Sequence, residues 1–166
     1  MRGLFFLAGL SLSVTPALAG PMPALPDLPP LPTTYASSYT SGFYAGVLAG
    51  YSSAGPGAAA LGVVIGNTFY ASDLLIGAEG LVIVSKGDVS LDASVRAGFS
   101  ITSDLSVHGS LGFGHSTATQ GFAAAGLSAE FLLSADSALR FDYRYQHDFS
   151  GDPATHKILG GLVRRF

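Results

Sequence analysis

The stretch Leu139-Arg140-Phe141-Asp142-Tyr143-Arg144-Tyr145-Gln146 alternates apolar or aromatic side chains with charged or amide ones. The first set has odd numbers and the second has even numbers. Successive side chains of a β-strand point to opposite faces, whereas a helix with about 3.6 residues per turn would mix the two sets. The stretch therefore predicts a strand with one apolar face and one charged face.

The rest of the chain supplies partners for this strand. From residue 42 onward it divides into eight segments of roughly ten residues, the length that a tilted strand needs to cross a bilayer. Residues typical of turns separate the segments. The predicted strands are 42–51, 59–69, 74–84, 89–100, 105–114, 121–133, 137–149 and 156–166. We expect an all-β fold, an eight-stranded antiparallel up-and-down transmembrane β-barrel.

Composition favours a barrel in a membrane over a soluble one. Apolar residues make up 48% of the chain and charged residues only 11%, yet no run of about 18 apolar residues follows the first twenty positions. Aromatic residues gather near the predicted strand ends, as an interfacial girdle would require. They are Phe43, Tyr51, Phe69, Tyr70, Phe99, Phe149 and Phe166. A soluble secreted barrel that binds an apolar ligand shares the alternation and remains an alternative.

The first 41 residues are predicted to lie outside the barrel. Residues 1–19 combine a basic start, an apolar run and the small-x-small site Ala17-Leu18-Ala19, which together predict a cleaved signal peptide. Residues 20–41 hold six of the nine prolines and predict a flexible, partly polyproline linker, because proline lacks the N–H that a sheet needs. The barrel domain is then 42–166.

Four stretches carry a resemblance to a known family. They are 42–51, 94–99, the pair 126–131 and 139–145, and 159–166. In order and spacing these resemble small outer-membrane β-barrel proteins of alphaproteobacteria, often called porin-family or outer-membrane surface-antigen proteins. The resemblance implies a place in the outer membrane of a Gram-negative bacterium, among its lipids. It also implies that Phe166 is the assembly signal for the outer-membrane insertion machinery.

Two features depart from that family. Arg164 stands where family members commonly carry an aromatic residue, and on the outer face it would have to reach toward the membrane interface. The predicted outer loops are also short, which puts an antigenic or adhesive role in doubt.

The charged face of the strands predicts what fills the lumen. An eight-stranded barrel is only wide enough for its own side chains. The predicted lumen charge network comprises Glu79, Asp92, Arg96, His108, Glu130, Arg140, Asp142 and Arg144. In this register Val64, Leu81 and Ile83 also face inward. We expect paired charges that plug the barrel; an ion pathway is the alternative.

Catalytic and cofactor chemistry are not predicted. Ser116, His115 and Glu130 could form the triad of a lipid A-modifying enzyme only if the base reached the hydroxyl. Glu130 is expected well down its strand and inside the barrel, so we predict no enzyme. The four histidines, His108, His115, His147 and His156, lack a metal-ligand spacing, and no phosphate loop or nucleotide fingerprint is present.

Composition also limits the partners. The formal charge of −3, without a basic patch, argues against nucleic acid. The sequence thus favours a structural outer-membrane barrel that needs no metal or cofactor, with a narrow porin-like channel as the alternative. The oligomeric state is left open.

Overall fold

A computed structural model describes residues 41–53, 57–71, 74–118, 120–151 and 153–166. The predicted signal peptide and all but the last residue of the predicted linker lie outside these ranges. The described residues form eight strands. These are β1 (Gly42–Ser52), β2 (Ala58–Ala71), β3 (Leu74–Ser85), β4 (Asp88–Ser100), β5 (Leu105–Ser116), β6 (Gln120–Leu132), β7 (Ser137–Asp148) and β8 (Thr155–Arg165).

The eight strands close into one barrel in sequence order, and every neighbouring pair is antiparallel. Closure comes from β8 pairing with β1, from Tyr44 opposite Arg165 to Ser52 opposite Lys157. The predicted fold is confirmed. Among the residues that the structure describes, no helix is long and apolar enough to span a membrane.

The two ends of the barrel differ in what they carry. The terminal end holds the start of β1, the end of β8, the connection from β2 to β3, and the turns at 101–104 and 133–136. The loop end holds the connections from β1 to β2, from β3 to β4, from β5 to β6 and from β7 to β8. At the terminal end the Phe166 N–H donates to the Phe43 carbonyl at 2.9 Å, so pairing continues one residue past β8.

Burial alternates along the strands as the period of two requires. In β4, Asp88, Ser90, Asp92, Ser94 and Arg96 are buried in the lumen, while the residues between them are exposed. Large apolar side chains cover the outside of the barrel, for example Val63 on β2, Leu111 on β5 and Leu127 on β6. This outer surface has the apolar character of a lipid-facing one.

One predicted girdle residue is placed differently. Phe69 points outward, but the adjacent Tyr70 lies on the other face and packs against an apolar cluster at the terminal end, formed by Leu75, Leu132 and Ala138. Because neighbouring residues of a strand face opposite ways, only one of the two could join the girdle. Assigning Tyr70 to the girdle was therefore wrong.

A second apolar cluster fills one side of the lumen. It contains the three inward apolar residues expected from β2 and β3, namely Val64, Leu81 and Ile83. The remaining members come from strands on both sides of the closing seam and from β2: Tyr44, Leu48, Ala60, Leu159 and Val163. The lumen is thus half apolar and half charged.

Glycines line the seam between β1 and β8. A Cβ atom added at Gly50 would collide with the Ile158 carbonyl oxygen, and one at Gly161 would collide with the Val47 carbonyl oxygen. At Gly46 the nearest atom, the Leu162 carbonyl oxygen, would be 2.6 Å away. These contacts are with backbone, which cannot swing aside, so glycine is what lets the closing strands approach.

We predict that Gly50→Ala weakens barrel closure. Forcing a methyl group into a filled site costs about 1–3 kcal/mol, and here the obstacle is backbone. Urea unfolding followed by circular dichroism in lipid vesicles should show the loss. Gly109→Ala is the matched control, because a Cβ there meets nothing within 4 Å. Equal unfolding midpoints for the two variants would contradict the role given to Gly50.

Candidate functional site: the lumen charge network

All eight predicted lumen residues face inward and are buried, with at most 5% of each exposed. Period two explains this, because each shares the face of a strand opposite exposed apolar neighbours. They come from five consecutive strands. The set is Glu79 on β3, Asp92 and Arg96 on β4, His108 on β5, Glu130 on β6, and Arg140, Asp142 and Arg144 on β7.

Glu79 is the centre of the network. Arg140 donates to both of its carboxylate oxygens, from Nη1 at 2.6 Å and from Nη2 at 3.0 Å. Arg96 Nη1 donates to Glu79 Oε2 at 3.3 Å, and Arg144 Nη2 donates to Glu79 Oε1. The Tyr44 hydroxyl donates at 2.7 Å. One carboxylate therefore collects donors from β1, β4 and β7.

Each of the three guanidinium groups also binds a second carboxylate. Arg140 forms a fork with Asp142, from Nε at 2.7 Å and from Nη2 at 2.8 Å. Arg96 Nη2 donates to Glu130 at 2.7 Å. Arg144 Nη1 donates to Asp92 at 2.8 Å. The structure thus joins seven of the eight predicted residues into one set of charge-assisted hydrogen bonds.

His108 lies in the lumen but outside this set of bonds. Its Nε2 is 2.8 Å from the Ser106 hydroxyl, and its Nδ1 has no hydrogen-bond partner among the described residues. Its inward position follows from its place in β5, yet it forms no ion pair with a carboxylate of the described residues.

Two members of the network were missed from the sequence. Tyr44 accepts from Arg96 Nη1 at 2.9 Å while donating to Glu79, and the guanidinium carbon of Arg96 lies 5.6 Å from its ring centre. Arg165 donates from Nη2 to Glu130 at 2.6 Å. Each shares a face with a buried apolar residue of its own strand, Leu48 for Tyr44 and Leu159 for Arg165. Because β1 and β8 carry apolar residues on both faces, the alternation in the sequence did not mark which face is the inner one.

A second polar group at the loop end was also missed. Lys157 Nζ is 2.7 Å from the Ser90 hydroxyl and 3.9 Å from the Asp88 carboxylate. Asp88 in turn accepts from the Ser116 hydroxyl at 2.5 Å. Asp148 is buried near the same end of the barrel.

Positive and negative charges in the lumen nearly balance. Among the described residues, six buried carboxylates face five basic side chains. The acids are Glu79, Asp88, Asp92, Glu130, Asp142 and Asp148, and the bases are Arg96, Arg140, Arg144, Lys157 and Arg165. A buried ion is tolerated only when it is paired and hydrogen-bonded, so removing one member exposes its partners to the full cost of desolvation.

The possible catalytic triad is not assembled. The Ser116 side chain is buried and bonded to Asp88, while the adjacent His115 points outward. Glu130 is bound to Arg96 and Arg165. Because consecutive strand residues face opposite ways, a base at 115 cannot serve a hydroxyl at 116.

The outward histidines also do not form a metal site in the described part of the chain, where no group of three or more potential ligands is found. The imidazole of His156 instead contacts two tyrosines. Its Nδ1 is 2.8 Å from the Tyr143 hydroxyl, and its ring packs edge-on to Tyr145.

An apolar exterior around a charged, closed lumen is the architecture of a transmembrane β-barrel. No family model matches the chain, and the comparison with curated proteins also found no match. Solved structures of small membrane barrels share the fold.

Three of these structures show the likeness. A de novo designed transmembrane β-barrel is 17% identical with a TM-score of 0.57, covering 75% of this chain and 95% of that one. Neisserial surface protein A is 16% identical with a TM-score of 0.54, covering 76% and 98%. The attachment invasion locus protein Ail of Yersinia pestis is 17% identical with a TM-score of 0.52, covering 76% and 97%. At these identities the likeness is one of fold.

We predict that Glu79→Gln destabilises the barrel by about 3–5 kcal/mol, the usual cost of breaking a buried pair from one side. The substitution keeps the shape of the side chain but leaves three guanidinium groups without their shared counter-charge. Urea unfolding in lipid vesicles gives the free energy. Asp104→Asn removes the same charge at an exposed turn and should change little. Similar losses in the two variants would show that Glu79 is not the centre of the network.

Proposed function

We propose that this chain is an integral outer-membrane β-barrel protein with a structural role in the envelope and a small surface at the exterior. One observation carries the proposal. The barrel holds its charges inside and presents apolar side chains outside, the reverse of what a barrel in water needs.

The outer face supports a bilayer as the surroundings. Residues such as Leu61, Val95 and Phe113 each expose more than 60% of their surface, which water would penalise and hydrocarbon would not. Exposed aromatics lie near both ends, including Phe43 and Phe99 at the terminal end and Tyr51 at the loop end. Aromatic rings are favoured at membrane interfaces. Outer-membrane lipids are therefore the proposed surroundings.

The lumen supports a closed barrel rather than a pore. The ion pairs of Glu79 span the interior from β3 to β7, and the apolar cluster around Val64 fills the opposite side. Leu75 and Leu132 pack together at the terminal end. Opposite charges at hydrogen-bond distance hold one another and leave no single-sign path for an ion. A narrow porin-like channel remains the alternative that conductance decides.

The similar structures and the short connections at the loop end support a modest role at the cell surface. Two of the natural proteins whose structures share this fold are a surface protein and an attachment invasion protein by name. In this chain the connections at the loop end are short, so we propose envelope integrity before adhesion. We also keep the resemblance to alphaproteobacterial surface-antigen barrels as part of the proposal, and we propose no catalytic activity.

The predicted localisation is tested by fractionation. The mature protein should be found with outer-membrane vesicles, resist extraction without detergent, and shift its mobility on a gel when heated. Recovery in a periplasmic extract without detergent would favour the soluble ligand-binding barrel instead.

The closed lumen predicts electrical silence. Protein that has passed the heat-shift test should give no ion conductance when incorporated into planar bilayers, because the Glu79 network and the apolar cluster occupy the interior. A known porin in the same bilayers controls for incorporation. Steady single-channel conductance from wild-type protein would favour the porin-like alternative.

The proposed assembly signal is tested by shortening the chain. Phe166 exposes 78% of its surface, and its N–H continues the pairing with β1. We propose that the outer-membrane insertion machinery reads this residue. Deleting Phe166 should reduce the amount of heat-shifting protein in cells, while Phe149→Ala, which removes an exposed aromatic at the loop end, should not. Normal assembly without Phe166 would argue against the signal.

A further inference from the structure

Arg164 is an exception on the outer surface. Within the strand residues that the structure describes, it is the one Asp, Glu, Lys or Arg whose side chain points away from the lumen. The next residue, Arg165, turns inward to Glu130. A charge toward lipid is unfavourable unless it reaches the interface or finds a partner, so Arg164 calls for a physical reason.

The position of Arg164 at the terminal end gives its guanidinium access to the interface. It pairs in register with Ala45 on β1 and Ser137 on β7, two residues before the end of the chain. Its side chain is 68% exposed, and Nη2 lies 3.3 Å from the Asp136 carboxylate, which is 51% exposed. An ion pair as open as this is weak and leaves most of the guanidinium accessible.

The turn holds Asp136 in its charged form. The Ser134 hydroxyl donates to its carboxylate at 2.8 Å and the Ser137 hydroxyl donates at 3.2 Å. These hydrogen bonds lower the pKa of Asp136 below its usual value. Asp136 therefore orients Arg164 at neutral pH without covering it.

An apolar groove begins beside Arg164 and runs up the outside of the closing seam. Its walls are Val47 and Leu162, with Val63 on the next strand and Leu133 from the turn. The groove is deep at Ala45, because its methyl group lies between the larger side chains of Arg164 on β8 and Ile65 on β2. A basic group thus sits at the interfacial mouth of a groove that leads into the apolar band.

We propose that this groove and Arg164 bind one phospholipid of the leaflet at the terminal end, with its phosphate on the guanidinium and an acyl chain along the seam. Guanidinium forks match phosphate in geometry and charge. Apart from Arg164 itself and Ser137 beside it, the residues that line the groove are apolar or glycine, which suits a hydrocarbon chain and offers little to a polar peptide. The proposal rests on the proposed function, because it requires the barrel to lie in a membrane.

The test measures lipid that stays bound. Mature protein is inserted into nanodiscs of phosphatidylcholine and phosphatidylglycerol, released from them, and examined by native mass spectrometry. Wild-type protein should retain phosphatidylglycerol over phosphatidylcholine. Arg164→Gln should reduce that preference by about fivefold, the effect expected of one basic side chain near an anionic surface. Arg164→Lys should retain part of it.

Two controls separate lipid binding from other roles of the charge. Lys86→Gln removes an exposed positive charge at the loop end and should leave the preference unchanged. Asp136→Asn breaks the ion pair but leaves the guanidinium, so the preference should persist; a loss equal to that of Arg164→Gln would assign Arg164 to the ion pair alone and overturn the proposal.

The heat-shift gel is run on every sample. If wild-type protein does not insert, the proposed function fails and the lipid site fails with it. If all variants insert and Arg164→Gln retains phosphatidylglycerol as wild type does, only the lipid site is overturned.

Discussion

The pairing of β1 with β8 is the constraint on which the rest of the structure depends. In hydrocarbon every backbone N–H and carbonyl needs a partner within the protein, and an open sheet would leave two unpaired edges. Closure meets that requirement, but it needs backbones that approach closely. Gly46 and Gly50 on β1 and Gly161 on β8 provide the space. With eight strands, closure also leaves an interior that is just wide enough for side chains to fill it.

That narrow interior explains how so many charges are held in the barrel. A charge without a partner could not be buried there, and a lumen of ion pairs alone would need every pair to be satisfied. The chain divides the space instead. Apolar side chains around Val64 and Leu159 fill the side next to the seam, and Glu79 draws together the guanidinium groups of Arg96, Arg140 and Arg144 on the other side. Tyr44 belongs to both halves, with its ring in the apolar cluster and its hydroxyl on Glu79.

The sequence predicts which face of a strand a residue lies on better than it predicts which side chains meet inside the barrel. Turn residues give the strand count, and period two identifies the inward face where the alternation is clean, so the burial of Arg140, Asp142 and Arg144 follows from the pattern alone. In β3 apolar residues fall on both faces, and the pattern there was less informative. It does not say which side chains meet across the lumen, because that depends on the tilt and stagger of the closed barrel. Glu79 on β3 and Arg144 on β7 are 65 residues apart and meet only across the closed lumen. Tyr70 was assigned to the girdle only because it is an aromatic residue near a strand end. The face of the strand on which it lies was not considered, and that face points into the barrel.

Arg164 and Arg165 show how far the face of a strand decides the chemistry of a side chain. The two are adjacent and carry the same group, yet Arg165 is drawn to a buried carboxylate while Arg164 meets an open ion pair at the rim. Inside, the geometry is fixed by the barrel, and the bond to Glu130 helps to hold β6 and β8 in place. Outside, most of the guanidinium remains accessible to the surroundings. The same side chain is therefore part of the lumen network at position 165 and a largely exposed charge at position 164.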